Sequence, residues 1–294
     1  MLGLHILVAN FFCVLYPNGM TLKNRNRVYF IASLLTTVLV AYYAGIFLYA
    51  AFRGQIIPPQ NPVRLVPHIS EHILFRYEFP ASIASVFIFI IYVPIISLVI
   101  ARGFGNTQAL ELVYFGGFVI ACMAEGIRLL LPLFGLWQSY SILLVLTGRI
   151  IIGGRLLAFT SFLFATLFNE TNQRQNAEQN FSIMLLVSFF IGVIMPLETT
   201  QTSSACTVIW GYGTLFLVIR LCLFILTEVT LIINAITKSN KELIKTAIAY
   251  PFLMAGYSIL GITDNFIMLG SGAVFLLIGT VLYLKSIHSI YMWH

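Results

Sequence analysis

Apolar residues run along this chain in eight long, nearly unbroken stretches: near Val28 to Phe52, Phe79 to Ala101, Leu110 to Trp137, Tyr140 to Phe168, Phe181 to Leu197, Val208 to Ile236, Thr246 to Ile262 and Ser271 to Ser286. A hydrocarbon core about 30 Å thick is crossed by about 20 residues of helix, and the stretches have that length. In lipid every backbone polar group must find its partner within the segment. Continuous runs therefore predict helices, not the roughly ten-residue alternating strands of a barrel. The predicted fold class is all-α: a polytopic transmembrane helix bundle of about eight spans, forming one integral membrane domain over residues 1–294.

Residues 1–16 form a further apolar run without the basic flank or small-residue cleavage site of a signal peptide. The run is short for a span. Two readings stay open, an interfacial or packed half-helix and a ninth span. The sizeable loop, residues 53–78, begins with a proline-rich extended part and continues from Pro67 as a short amphipathic helix expected along the membrane surface.

Composition makes lipid the solvent, with 60% hydrophobic against 9% charged residues and a mean hydropathy of +0.96. The net charge of +6 does not indicate nucleic acid, because the basic residues fall mostly in short loops between spans. One side collects Lys23, Arg25, Arg27, Arg102, Arg174, Lys238, Lys241, Lys245 and Lys285, the other Arg53, Arg64 and Arg76. The positive-inside rule makes the first side, with the C-terminus and the N-terminus, cytoplasmic, for a multi-pass protein of the cell membrane. The sequons at Asn169 and Asn180 fall on that side and read as chance matches. Cys13, Cys122, Cys206 and Cys222 show no paired spacing, which argues against a disulfide framework or a zinc knuckle.

Arg155, Arg220 and Lys285 follow one another at intervals of 65 residues, each about thirty residues after a glycine, at Gly126, Gly192 and Gly256. This spacing is that of a repeated two-helix hairpin, with Gly45 and Arg102 as a first copy, and equally that of antiparallel helices with short loops. Pro94, Pro132 and Pro251 fall inside spans and predict kinks, and Gly117-x-x-x-Ala121 predicts a close helix contact.

Glu125, Arg128, Arg149, Arg155, Arg220 and Glu228 lie within apolar runs, where an ionised side chain costs roughly 2.5–3.5 kcal/mol on insertion scales. Counted from the span ends, Arg128 and Arg149 share a depth of roughly 14 Å, and Glu125, Arg220 and Arg155 lie at roughly 18–23 Å. Glu125 and Arg128, three apart, share a helix face. Arginine outnumbers glutamate, and guanidinium prefers carboxylate or phosphate. Glu125, Arg128, Arg149, Arg155 and Arg220 are therefore the candidate binding residues for an anionic solute or lipid headgroup. The same residues also suit an internal network that locks helices together.

His68-Ile-Ser-Glu71-His72 matches H-x-x-E-H, whose two histidines hold zinc while the glutamate activates water. The short segment offers only Glu78 nearby as a third ligand, so it is a weak metal candidate. His5 and His288 have no second histidine on their helix face for haem, and no deep lysine in the last spans suits retinal. No cofactor is expected. Three functions follow in order: binding or transport of a small anionic or amphipathic ligand; a receptor-like or scaffold subunit acting through a separate membrane or cytoplasmic protein; and an intramembrane metal-dependent enzyme.

Overall fold

The computed structural model describes residues 22–56, 58–59, 62–64, 76–105, 107, 109–138, 140–168, 177–238 and 240–292. Within them are eight helices long and apolar enough to cross a membrane: α1 (Leu22–Phe52), α2 (Phe79–Gly103), α3 (Glu111–Phe134), α4 (Ile142–Leu167), α5 (Ala177–Ile194), α6 (Gly213–Thr237), α7 (Lys241–Ile262) and α8 (Phe266–Met292). The chain is thus the all-α multi-pass bundle that its apolar runs predict. The apolar segment 1–16, the helix expected from Pro67, the His68, Glu71 and His72 motif and the Asn169 sequon lie outside the described residues.

Helices α1, α5, α7 and α8 begin earlier than their apolar runs, and at α7 a cap and not hydropathy sets the end. The Asn240 side chain accepts a hydrogen bond from the Glu242 N–H at 2.9 Å, so α7 starts at Lys241 and not at Thr246. Ser141 caps α4 in the same way, accepting from the Leu144 N–H at 3.1 Å. The expected span from Val208 is corrected in the opposite sense. Val208–Trp210 forms a strand, β2, paired antiparallel with β1 (Leu197–Thr202), and helix resumes only at Gly213. The β-branched residues between Pro196 and Gly211 favour extended backbone over helix.

Burial separates an inner from an outer set. In α3 and α4 67% of the apolar window is buried, in α2 56% and in α7 50%, against 11% in α1 and 17% in α6. The inner helices α2, α3, α4 and α7 enclose an aromatic core in which Tyr92, Phe118, Phe162 and Tyr257 lie ring against ring. The outer helices expose large apolar side chains such as Leu34, Val38, Leu217 and Ile233, as contact with lipid requires.

Successive helices α1 and α2, α3 and α4, and α7 and α8 pack as antiparallel hairpins. The α5/α6 pair departs from the expected repeat: α5 packs on α4, and α6 on α7 and α4. Glycines set the closest approaches. A Cβ on Gly192 would lie 2.8 Å from the Arg149 carbonyl of α4, and one on Gly256 would collide with the Leu276 backbone of α8. The Gly117 stripe makes the close contact its spacing predicts, against Ser161 of α4 and Met184 of α5. Hydroxyl pairs tie further seams: Tyr92 with Thr280 at 2.8 Å, Thr160 with Ser188 at 2.9 Å, and Thr246 with Ser286 at 2.7 Å.

The two ends of the bundle differ. At the hairpin end, the tip of the β-hairpin, Ser203–Thr207, is buried among the helix termini. Val63 forms a parallel bridge with Ser203, and Ser82 Oγ donates to the carbonyls of Ser204 at 2.9 Å and Thr263 at 3.1 Å. At the far end, Phe104, just after α2, stacks edge-on against His288 of α8, and Arg25 near the start of α1 bonds to the carbonyls that follow α2. Leu22 and Met292 therefore lie at the same end, as eight spans require.

Candidate functional site

At Gly126–Leu129 helix α3 tightens into a 3₁₀ turn. Glu125 and Arg128, three residues apart across it, both turn into the bundle and are 1% and 0% exposed. Arg155 of α4, 2% exposed, completes the cluster. Its Nε donates to Glu125 Oε1 at 2.7 Å and its Nη2 to Oε2 at 3.2 Å, the two-pronged geometry a guanidinium offers a carboxylate. Arg128 Nη1 reaches the same Oε2 at 3.3 Å, and the Tyr257 hydroxyl of α7 donates to Oε1 at 3.3 Å.

Two guanidinium groups share one carboxylate, and the excess positive charge faces backbone carbonyls. Helix α7 ends at Ile262, which leaves its last carbonyls without helical partners and at the negative end of the helix dipole. Arg155 Nη2 donates to Gly261 O at 2.7 Å and Arg128 Nη1 to Leu260 O at 3.5 Å. Arg128 Nε donates to Ala205 O at 2.9 Å, and its Nη2 donates to the same oxygen at the tip of the β-hairpin. Arg155 Nη1 has no hydrogen-bond partner among the described residues, but its guanidinium lies 5.1 Å from the centre of the Trp210 ring. The cluster thus joins α3, α4, α7 and the hairpin, and nearly all its donors and acceptors are taken by protein.

The remaining expected residues stand apart. Arg220 of α6 donates to Ser258 Oγ at 3.0 Å and lies over Phe159 at 4.8 Å and Phe216 at 5.8 Å, so it touches the helices of the cluster without reaching its carboxylate. Arg149 joins neither group, and its buried Nε has no partner among the described residues. Glu228 lies further along α6, half-buried, with Oε2 equally unpartnered. Sequence reasoning missed Tyr257, Trp210 and the carbonyls of Ala205, Leu260 and Gly261. None is charged, and a backbone carbonyl carries no residue signature; the nearest signal was the predicted end of a helix close to Ile262.

On the other side of α3 lies a cleft of about 330 Å³. Leu39 and Tyr43 of α1, Val93 of α2, Met123 of α3, Ile150 of α4 and Phe189 of α5 bound it. Val93 is buried at its floor, while Leu39 and Met123 are exposed at its mouth. Its origin is local. Tyr29 ties α1 to α3 towards the far end, its hydroxyl donating to Leu112 O at 2.6 Å, whereas Gly126 lets α3 close on Ile90 of α2. Helix α3 is the wall between cleft and cluster, with Met123 and Ile127 facing one and Glu125 and Arg128 the other. Arg149 precedes the lining residue Ile150, and its backbone packs against Gly192, one turn from the lining residue Phe189.

At the hairpin end Arg64 Nε pairs with Asp264 Oδ2 at 3.0 Å, and Ser204 Oγ donates to the same oxygen at 3.4 Å. These contacts seal the end of the bundle above Ala205. No protein-family model, curated protein or solved structure matches this chain.

Proposed function

We propose that this membrane protein binds an amphipathic, lipid-like ligand in the lateral cleft between α1 and α3, with Arg149 meeting the ligand's anionic end. The observation that carries this reading is the apolar cleft itself. Its volume of about 330 Å³ falls in the range of small-molecule sites, and its mouth opens between helices where lipid lies. A ligand of this kind enters sideways from the bilayer and leaves the buried cluster intact. Arg149 supports the polar half of the reading: it precedes the lining residue Ile150 and carries a buried donor that no described residue accepts.

In this reading the cluster of Glu125, Arg128 and Arg155 is a lock that fixes the α3 wall, not the route of an anion. An anion there would compete with the Glu125 carboxylate and the three carbonyls that already hold both arginines. We also infer that the far end faces the cytoplasm, because it gathers Arg27, Arg102, Lys238, Lys241 and Lys245 against Arg53, Arg64 and Arg76 at the hairpin end.

The test is chemical. Protein purified in mild detergent is extracted, and the released amphiphiles are identified by mass spectrometry. Wild-type protein should carry a defined amphiphile over the background of bulk lipid. Met123→Trp, which fills the mouth, should lose it, and Arg149→Gln should retain less of it. Wild-type and Met123→Trp extracts of identical composition would rule the proposal out.

A further inference from the structure

A second hollow lies on the opposite flank of α1. At the far end, Asn26, Arg27, Phe30 and Ile31 of α1 and Ala101 and Arg102 of α2 line a shallow, open groove of about 380 Å³. At 100° per residue, Arg27 and Ile31 point roughly half a turn around α1 from Thr36 and Tyr43, so this groove is separate from the cleft.

The two arginines are held at its mouth by their neighbours. Arg25 is 4% exposed and donates to Thr107 O at 2.7 Å and to Phe104 O at 2.6 Å, while Asn26 Nδ2 donates to Gly105 O at 2.7 Å. These bonds fasten the start of α1 to the end of α2. They also occupy the carbonyls after α2 that a basic side chain in its last turn would otherwise take. Arg102 therefore points at the groove unengaged, and among the described residues neither it nor Arg27 has an ion-pair or hydrogen-bond partner. Among the described residues no acidic side chain lines the space. Both arginines are exposed, which leaves their guanidinium groups open to an anion.

Just inside, Phe30 and Ile31 are 51% and 49% exposed, an apolar surface directly below a pair of cations at the depth of the headgroups. The geometry points to a binding site for an anionic glycerophospholipid, its phosphate between Arg27 and Arg102 and an acyl chain along Phe30 and Ile31. A guanidinium pair suits a phosphate through charge-assisted hydrogen bonds, and the positive site matches the anionic leaflet. This site is independent of the lateral cleft and of the ligand proposed there.

The experiment measures lipid binding to the full chain in detergent by native mass spectrometry, on titration with phosphatidylglycerol or phosphatidylcholine. Phosphatidylglycerol should bind more tightly, and the Arg27→Gln/Arg102→Gln double variant should weaken it roughly 30-fold, the loss expected for two interfacial cations. The Arg27→Lys/Arg102→Lys variant should recover most of that loss, and Met123→Trp should change nothing. Equal affinity for the two lipids, or a double glutamine variant that binds phosphatidylglycerol like wild type, would overturn the site. Should the glutamine variant not fold, the wild-type protein decides: added salt must release phosphatidylglycerol selectively, and salt-independent binding overturns the proposal.

Discussion

Glu125 is the residue on which the interior depends. Two donors of Arg155 converge on its two oxygens, and one each reaches them from Arg128 and Tyr257, in a site with almost no solvent exposure. Glu125→Gln keeps the shape and removes the counter-charge, leaving two guanidinium groups buried beside carbonyls alone. That change should destabilise the fold by roughly 3–5 kcal/mol, the cost of breaking a buried pair from one side. Thermal unfolding in detergent reads it directly. An unchanged melting temperature would show that something other than the cluster holds α3, α4 and α7 together. At this scale the sequence was half legible. The pairing of Glu125 with Arg128 follows from their spacing of three, but Arg155 lies thirty residues on, and its carbonyl partners have no side-chain signature. Arg149 was grouped with Arg128 by depth, yet the two face different surroundings because depth along an axis says nothing of rotation about it.

Among the elements, the β-hairpin shows where apolar runs mislead. Val208, Ile209 and Trp210 continue into the apolar residues of α6, so run length alone assigns them to a helix. Their β-branched neighbours, and the glycine that follows at Gly211, carried the opposite signal. The tip matters because it closes the bundle over Arg128. Cys206, at that tip with φ of 54°, is 1% exposed. Burial pushes its thiol from the ordinary 9.0 up to about 11, with Arg128 pulling the other way. Between these values an undocked thiol ionises while the docked one keeps its proton. The contribution to stability is therefore complete below about pH 9 and lost as the pH rises towards 11, about 2–3 kcal/mol in all. The fall in melting temperature over that window should be larger for wild type than for Cys206→Ala. Equal falls would show that this thiol stays neutral for no energetic reason.

For the whole molecule, the eight spans and the shared end of Leu22 and Met292 were legible, because crossing lipid fixes both length and alternation. The arrangement of the helices was not. Three hairpins pack as their order predicts, while α5 and α6 separate to cover α4 and α7, α5 seating on α4 at Gly153, Gly192 and Phe189. The cleft arises in the same way. It exists because α1 is tied to α3 at Tyr29 and diverges beyond, so no single helix encodes it. The central claim is that ligand enters this cleft from the bilayer while the cluster of Glu125, Arg128 and Arg155 stays closed. Cryo-electron microscopy of the protein in a lipid nanodisc tests this most directly. Elongated density beside Met123 and Phe189, ending near Arg149, with Glu125 still bound to both arginines, is the predicted result. Density for an anion between Arg128 and Arg155, with the cleft empty, would contradict it.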